Sequence, residues 1–469
     1  MASGRIQRIQ DSVHGLMEFR GMEASSIDLL RTPELQRLRR IRQLGLAHLV
    51  FPGAEHSRLV HCLGASYLAI LFGRQLQDAA SDLLVPDLCP AEDSIRDLAI
   101  AALCHDLGHG PLSHAWEREI IGEHYSQRAW QQSLGLAEND ALLPDKPKWH
   151  ELVGHALLSW PDGQLHRLLE QQEEGLSTRI RQLLGGKYFL TYLPRLLASD
   201  VDVDRADFIR RDTHQTGVAY GRYDLEWLIS TCMIGEEDYS GGSQLIVGFD
   251  GRKAVRVVEQ FLIARRALYD TVYQHKAVRC AEGMVALFLR RLKHVIQDGI
   301  RVDVSGFVAP LLKTVRGDAV GPEDLLALDD FSLTVLIDSV ANSPSMDPTA
   351  RDLANRIVAR DLFKAVPLPS DTVNAYLRQP HSYARLYDAI KPYCPGESEY
   401  YLVVDTVKFC MLSDDPKNRV YIIGQDHKAK SANDHELLQS YRGVSKDAVR
   451  LFTPREAIPA VTRLIQENV

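Results

Sequence analysis

Residues 58–78 of this chain read RLVHCLGASYLAILFGRQLQD, and this apolar stretch is the clearest indication of the fold. Its apolar side chains recur at the spacing of an α-helix, which predicts one long helix with a broad buried face. Residues 94–108 show the same period, and Gly108 and Gly110 mark the end of that second helix. Two such helices in succession favour a mainly α protein.

Helical periodicity continues over most of the chain. Residues 252–298 predict one very long helix or two helices in series. A short hairpin is expected at 243–251, where an apolar run leads into the turn-forming pair Asp250-Gly251.

The pattern changes near residue 395. YYLVVDTVKF and NRVYIIG predict two strands joined by the turn-prone DDPKN, and a final strand, VRLF, precedes a last helix at 454–467. We therefore predict a helical domain over residues 1–390 and a small α+β lobe over residues 391–469.

Composition limits the class of protein. Hydrophobic residues make up 45% and charged residues 25% of the 469 positions, which is typical of a globular protein and excludes disorder as the dominant state. The formal net charge of −8 argues against general attraction to nucleic acid or to an anionic membrane. Nucleic acid is therefore not an expected partner.

Cysteine usage and the absence of targeting signals indicate the compartment. The seven cysteines are scattered and form no C-x-x-C pair, a pattern typical of free thiols in a reducing compartment. The N-terminal MASGRIQRIQ lacks the apolar run of a secretory signal. No stretch is expected to supply the roughly 20 apolar residues that cross a bilayer. These features predict a soluble, cytoplasmic protein without a membrane partner.

Histidines crowd the early part of the chain, and the adjacent pair His105-Asp106 lies at their centre. Imidazole and carboxylate together suit Fe, Mn, Zn or Mg with open coordination positions. The two side chains of a neighbouring pair can converge where a helix ends, and Gly108 indicates such an end. His61, on the preceding helix, has apolar neighbours that would aim it inward.

An acidic run supplies candidates for a fourth ligand. Its carboxylates alternate with apolar residues, and Asp204 and Phe208 are spaced one helical turn apart, so part of the run faces the interior. Buried carboxylates are costly unless they meet a cation. The candidates are Asp200, Asp202, Asp204, Asp207 and Asp212.

The order of these motifs resembles the H…HD…D signature of the HD phosphohydrolase superfamily. Within it, the sequence is similar to the SAM-and-HD-domain deoxynucleotide triphosphohydrolases and their bacterial relatives, although no SAM domain precedes the motifs. The strings that carry the resemblance are DSVHG (11–15), RTPELQRLRRIRQLG (31–45), VFPGAEHSRLVHCLG (50–64), LCHDLGHGPLSH (103–114), VDVDRADFIRRDTH (201–214) and YQHK (273–276). The resemblance implies an HD core over residues 45–215, with a divalent Fe, Mn, Mg or Zn ion held by His61, His105, Asp106 and Asp204.

The resemblance implies hydrolysis of a deoxynucleoside triphosphate (dNTP) to deoxynucleoside and inorganic triphosphate. His114 matches the histidine that protonates the leaving 5′-oxygen, and His109 and His150 match histidines that contact phosphate. Glu117 stands where the family usually has Asp and would orient His114. The metal polarises an oxygen of the α-phosphate.

Further matches concern the substrate. Arg58, Arg205, Arg265 and Lys276 match or lie beside phosphate-binding positions, which suits the roughly four negative charges of a triphosphate. Arg205 replaces a usual Lys, and Phe208 replaces a usual Tyr and loses its hydroxyl. The positions that match sugar recognition are Gln43, Leu44, Asp212, Tyr273 and Gln274.

The resemblance also implies a homo-oligomer, a dimer or a tetramer, that nucleotides regulate. Gln36 and Arg39 match two contacts of a guanine-reading activator pocket between subunits. Arg31 replaces an Asp that accepts hydrogen bonds from guanine, and an arginine has donors only. Arg31 would instead pair with another base, with phosphate, or with a carboxylate of a neighbouring subunit. Each alternative predicts that GTP is not required.

Two other classes of function remain as alternatives. One is another HD phosphohydrolase, such as a nucleotidase, a cyclic-nucleotide phosphodiesterase or a guanosine tetraphosphate hydrolase, although the string HDLGH differs from their usual motifs. The other is a catalytically silent nucleotide-binding regulator, which the presence of all four ligand residues disfavours.

Overall fold

Helices make up most of the structure, a computed structural model that describes residues 4–80, 88–113, 116–117, 127–299, 302, 306–413, 415–416, 418–442 and 448–469. The mainly α fold expected from the sequence is confirmed. The α-helices α1–α19 of the described residues are Ala24–Asp28, Pro33–Gln36, Arg58–Ala80, Glu92–Cys104, Gln127–Ser133, Trp149–Ser159, Gln164–Gln172, Leu176–Leu184, Val203–Thr216, Leu225–Ser230, Val255–Leu268, Lys276–Gln297, Ala309–Arg316, Pro322–Leu325, Asp330–Ala341, Pro348–Val358, Ser370–Leu377, Ser382–Ile390 and Ile458–Gln466.

Nine short strands of the described chain form three small sheets. In chain order, strands β1–β9 are Ile6–Asp11, Gly15–Arg20, Cys232–Tyr239, Gly242–Asp250, Lys364–Ala365, Val403–Val407, Tyr421–Ile423, Ala429–Ser431 and Ala448–Thr453. The first two form a hairpin, and the others are ordered β3-β4-β7-β8 and β5-β9-β6. The parallel contact of β4 with β7 pairs Phe249 with Ile422, so strands from both sides of residue 390 share sheets. The division into two domains at that residue stays a prediction.

Helix α3 forms the centre of the fold. Fifteen of its 23 residues are buried, so the helix is enclosed on most sides rather than on one broad face. A Cβ atom at Gly64 would come within 1.8 Å of Asp207 Oδ1, which shows how closely α9 approaches α3. By length and composition alone α3 could cross a membrane, contrary to the expectation from the sequence, but 72% of its most apolar window is buried inside the protein. This burial makes α3 a core helix.

The second predicted helix ends earlier than the pattern suggested. Helix α4 stops at Cys104, and His105 begins a turn that continues to Gly108.

The hairpin predicted at 243–251 also differs from the structure, because β4 occupies this region and the turn that joins β3 to β4 falls at residues 240–241. The glycine at 241 supports that turn, while Asp250-Gly251 lies beyond the strand.

The C-terminal strands β6 and β7 follow each other in the chain but do not pair with each other. β6 and β7 correspond to the predicted YYLVVDTVKF and NRVYIIG segments, but they belong to different sheets.

The long segment at 252–298 forms two helices, α11 and α12, separated by a π-helix at Tyr269–Tyr273. The π-helix turns two tyrosine rings toward each other, with 5.0 Å between the centroids of Tyr269 and Tyr273.

Candidate metal centre and substrate pocket

Three helices bring the predicted metal ligands to one point. His61 lies in the first turn of α3, His105 and Asp106 follow α4, and Asp204 lies in the first turn of α9. Nε2 of His61 is 3.0 Å from Asp204 Oδ1 and 3.2 Å from Nε2 of His105. Nε2 of His105 is 3.5 Å from the same Asp204 oxygen.

Asp106 completes the group. Its Oδ1 atom is 3.4 Å from Nε2 of His105, and its Oδ2 atom is 3.9 Å from Nε2 of His61 and forms an ion pair with Arg58. The ligand atoms of His61, His105 and Asp204 all lie within 4.8 Å of one another. Two imidazoles with two nearby carboxylates form the donor set of a divalent transition metal, so the residues present fit such an ion.

The outer nitrogen of each imidazole has a hydrogen-bond acceptor. Nδ1 of His61 is 2.8 Å from Asp207 Oδ2, and Nδ1 of His105 is 2.7 Å from the carbonyl oxygen of Ala102. Donation from Nδ1 leaves the lone pair of Nε2 facing the centre, which is the tautomer that a metal requires.

Carboxylates dominate the electrostatics of this centre. Burial acts to lower the pKa of His61, but Asp204 and Asp207 outweigh it and raise that pKa to about 10. Despite its burial, contact with His105 and His61 holds the pKa of Asp204 far below its usual range. A group of charges that favours a proton this strongly also favours a metal cation, which competes for the same atoms.

A second cluster lies where α6 meets the turn after α4. The contact depends on glycine, because a Cβ atom at Gly108 would lie 1.9 Å from the carbonyl oxygen of His150. The rings of His109 and His150 stack with their centroids 4.1 Å apart. Glu117 Oε1 is 3.2 Å from Nδ1 of His109 and 2.9 Å from Nδ1 of His150.

His109 connects this cluster to the metal centre. Its Nε2 atom is 3.3 Å from Asp106 Oδ1. Burial, with Arg58 and His150 nearby, lowers the pKa of His109 to about 4. His109 is therefore a neutral hydrogen-bonding group at physiological pH.

The turn at residues 111–113, which follows His109 in the chain, has an uncommon backbone conformation. Leu112 and Ser113 both have positive φ angles, 51° and 49°. Asp330, at the start of α15, accepts a 2.9 Å hydrogen bond from the backbone nitrogen of Leu112 and a 2.8 Å bond from that of Arg42. Arg58 donates to Ser113 Oγ at 2.8 and 3.1 Å. Such strain persists only where surrounding contacts hold it.

A cavity of about 630 Å³ opens above the centre. His105, Asp106 and Asp204 line it, as do ten further residues that the resemblance assigned to catalysis or substrate binding. These ten are Gln43, Leu44, Arg58, His109, His150, Arg205, Phe208, Asp212, Tyr273 and Gln274.

One wall of the cavity is organised around Asp212. Tyr273 Oη donates a 2.6 Å hydrogen bond to its Oδ2 atom, and Nε2 of His56 donates a 2.8 Å bond to its Oδ1 atom. The Oε1 atoms of Gln43 and Gln274 are buried without a hydrogen-bond partner among the described residues.

Two of the predicted phosphate ligands are not among the residues that line this cavity. Arg265 is buried outside its lining, where it donates a 3.0 Å hydrogen bond to Asp200. Lys276 is exposed at the start of α12. The predicted general acid, His114, lies outside the described residues, whereas its predicted partner Glu117 lies within them.

No protein-family model matches the chain. Human deoxynucleoside triphosphate triphosphohydrolase SAMHD1 is 28% identical over 369 residues, which cover 76% of this chain and 54% of that protein. The chicken SAMHD1 is also 28% identical, and the match covers 55% of it. The chain is similar to the SAMHD1 triphosphohydrolases. It spans about half the length of these SAMHD1 relatives.

Similarity over nearly the full chain is found elsewhere. The uncharacterized protein YwfO of Bacillus subtilis is 27% identical, over 92% of this chain and 88% of its own length. The crystal structure of a phosphohydrolase from Bacteroides thetaiotaomicron superposes with a TM-score of 0.72 at 23% identity, and the match covers 96% of this chain and all of that one. The SAMHD1 homology supports HD phosphohydrolase activity, and the structural likeness shows the shared fold.

The structure adds cavity residues that the SAMHD1 resemblance did not supply. Ser113, Lys148, His155, Arg279 and Lys408 also line the cavity. Lys408 lies within the VKF of a segment treated only as a strand, so no local pattern marked it. His14 and His56 fall inside strings that carried the resemblance, which was the available signal for them.

The predicted regulatory residues are on the surface near α2. Arg31 is exposed, and Arg39 donates a 2.8 Å hydrogen bond to the side chain of Gln36. Arg37, which lies between Gln36 and Arg39 in the sequence, is buried and donates 2.7 Å hydrogen bonds to the carbonyl oxygens of Leu107 and Leu328. The segment is therefore in direct contact with the turn that follows the metal ligands.

Proposed function

We propose that this protein is a metal-dependent phosphohydrolase that cleaves dNTPs to deoxynucleoside and inorganic triphosphate. The observation that carries the proposal is the convergence of His61, His105, Asp106 and Asp204 beside a cavity that also contains the Asp212–Tyr273 pair. A metal centre next to a hydroxyl-binding carboxylate suits a phosphorylated sugar. Homology to SAMHD1 supports the same substrate class.

The proposed reaction is a single hydrolytic displacement. The oxygen of a water molecule forms a bond to the α-phosphorus and releases a proton to solvent. The bond from that phosphorus to the 5′-oxygen breaks, and its electron pair leaves with the 5′-oxygen, which takes up a proton. By the resemblance, His114 supplies this proton. A divalent ion held by His61, His105, Asp106 and Asp204 would supply Lewis acidity toward a phosphate oxygen.

The described residues support the reaction by binding and positioning. Glu117 holds His150 and His109 against the cavity wall, where neutral His109 can hydrogen-bond phosphate. Arg58 contacts both Asp106 and Ser113, so one guanidinium links the metal centre to the strained turn. Lys148 and Lys408 add exposed ammonium groups at the cavity, which favours a polyanionic ligand.

The sugar end supports recognition of a deoxyribose. Asp212 can accept a hydrogen bond from a 3′-hydroxyl, since a carboxylate oxygen has more than one acceptor site. Tyr273 and Leu44 beside it would crowd a 2′-hydroxyl. A buried hydroxyl without a partner costs about 1–3 kcal/mol, which corresponds to about tenfold to a hundredfold in preference.

Product analysis tests the proposal. The protein is incubated with each of the four dNTPs in Mn²⁺ or Mg²⁺, and the phosphate products are separated by ion chromatography. Stoichiometric triphosphate and deoxynucleoside are expected. Stoichiometric pyrophosphate or monophosphate would refute it, and binding without turnover would favour a silent regulator. The corresponding ribonucleotides, compared by kcat/KM, test the sugar preference.

We further propose that the enzyme is a cytoplasmic homo-oligomer that does not require GTP. Exposed Arg31 offers hydrogen-bond donors where guanine also offers donors, so the two would repel rather than pair. Light scattering with and without GTP measures assembly, and a strict GTP requirement for assembly would contradict the assignment.

A further inference from the structure

The N-terminal hairpin reaches the buried side of the metal centre. Its turn, between β1 and β2, is fixed by Asp11, whose Oδ1 atom accepts 2.9 Å hydrogen bonds from the backbone nitrogens of Val13 and His14. The His14 side chain is only 3% exposed, and its Nε2 atom lies 2.6 Å from Asp207 Oδ1. The hairpin therefore contacts a residue 193 positions away in the sequence.

Asp207 has no free hydrogen-bonding capacity toward solvent, because it is fully buried. Its Oδ1 atom accepts from His14 and, at 2.9 Å, from Arg211. Its Oδ2 atom accepts from Nδ1 of His61 and from Arg211, both at 2.8 Å. Arg211 also donates 2.9 and 3.2 Å hydrogen bonds to Asp11. Asp207 is thus held from three sides, two of which depend on the hairpin.

We propose that His14 and Asp11 are positioning residues for the metal centre, because they fix Asp207 and Asp207 fixes the tautomer and orientation of His61. The inference rests on the proposed metal-dependent function. Partners of this kind around metal-binding histidines alter metal affinity by about 10- to 100-fold when they are removed. A merely structural hairpin would change the stability of the protein without changing the metal affinity of the folded form.

Metal titration of the chelator-stripped protein tests the inference without using activity. The dissociation constant for Mn²⁺ is measured by electron paramagnetic resonance for the wild type and for His14→Ala, with circular dichroism to verify folding. Loss of the His14 donor lets Asp207 and His61 reorient, so affinity for Mn²⁺ is expected to fall about tenfold or more. His14→Gln should recover most of it, because the glutamine amide can replace the Nε2 donor.

Two further variants sharpen the result. His214→Ala removes an exposed imidazole from the same helix as Asp207 and should leave Mn²⁺ affinity unchanged. Asp11→Asn keeps the side-chain volume but removes one charge partner of Arg211, and an intermediate loss is expected, which provides a second test if His14→Ala does not fold.

The outcomes separate the two claims. If the wild type binds Mn²⁺ and folded His14→Ala and Asp11→Asn bind it equally well, the positioning role is overturned while the proposed function stands. If the wild type itself binds no Mn²⁺, Fe²⁺ or Zn²⁺, the proposed metal-dependent function falls, and the positioning role falls with it.

Discussion

On the metal side of the pocket each oxygen of Asp207 accepts two hydrogen bonds, whereas on the sugar side Gln43 and Gln274 each bury an Oε1 atom without a partner among the described residues. The first region is complete in the protein alone. The second contains two buried acceptors without a partner among the described residues, and leaving a buried acceptor unpaired costs about 1–3 kcal/mol. Under the proposed function, the support of the predicted metal ligands is complete before a ligand binds, whereas the sugar side retains unpaired groups.

The largest expected effect comes from removing a carboxylate of the predicted metal centre. Asp204→Asn removes the carboxylate that both imidazoles contact, so we expect loss of bound metal and a fall in dNTP hydrolysis of about a thousandfold or more, since a metal contributes several kcal/mol. Metal content by mass spectrometry and triphosphate release measure the two losses.

The matched control removes a carboxylate far from the pocket. Asp238 is exposed on β3 and pairs with Lys428, so Asp238→Asn should leave metal content and turnover unchanged. Full activity in folded Asp204→Asn would show that this carboxylate is not part of the centre.

Breaking the sugar side should give a smaller and more selective effect. Asp212→Asn weakens acceptance from a 3′-hydroxyl, so kcat/KM for dATP should fall about 10- to 100-fold. The analogue 2′,3′-dideoxy-ATP lacks that hydroxyl and should be affected far less. Equal losses for both substrates would contradict recognition of the 3′-hydroxyl by Asp212.

The support of Asp212 can be tested in the same assay. His56 donates a 2.8 Å hydrogen bond to Asp212, while Tyr273 holds the other oxygen. His56→Ala should therefore also reduce the preference for dATP over the dideoxy analogue, but the reduction should be smaller than in Asp212→Asn.

A third expected effect concerns pH, because one cavity-lining imidazole is paired with a cation instead of a carboxylate. Arg181 donates a 3.3 Å hydrogen bond to Nδ1 of His155, and burial together with this cation lowers the pKa of His155 to about 4. An unfolded histidine has a pKa near 6.5. Between these values the unfolded chain binds a proton that the folded one does not, so stability falls as the pH falls.

Urea unfolding at pH 6.5 and pH 4.5 measures this contribution. His155→Gln cannot titrate, so its loss of unfolding free energy over the interval should be smaller than that of the wild type, by up to about 1.4 kcal/mol for each pH unit. His109 titrates in both proteins and cancels in the difference. Parallel pH dependences would contradict a neutral, buried His155.

The smallest expected effect lies outside both sides of the pocket. Because Arg31 cannot accept from guanine, adding GTP should change the rate of dNTP hydrolysis by less than about twofold. Arg31→Asp restores the acceptor, and a gain of GTP stimulation in this variant would strengthen the assignment. Strong stimulation of the wild type would weaken it.

Local sequence signals anticipated part of this arrangement. The period of residues 58–78 predicted α3, and the adjacent His105-Asp106 beside a glycine-marked helix end predicted a metal-binding pair. The resemblance selected Asp204 from five carboxylates, and the structure brings this oxygen within 3.5 Å of both imidazoles. The helix and the adjacent pair could be anticipated because each depends on neighbours within one or two helical turns, whereas Asp204 was identified through the resemblance alone.

Other features depend on contacts between distant segments. Nothing near His14 indicates that it meets Asp207, and nothing near Asp250 indicates that β4 pairs with β7. Arg265 donates a hydrogen bond to Asp200, a pairing set by how α11 packs, and its predicted role in phosphate binding stays a prediction. Local periodicity carries no information about such partners, which only the assembled fold defines.

The bond from Leu112 to Asp330 affects when the site can form during synthesis. All four predicted metal ligands precede residue 205, yet the strained turn next to them is held by a carboxylate 218 residues after Leu112. Synthesis of the 126 residues from Asp204 to Asp330 takes a ribosome about 6–25 s at about 5–20 residues per second. We expect a nascent chain to possess its predicted ligands well before it possesses a finished site.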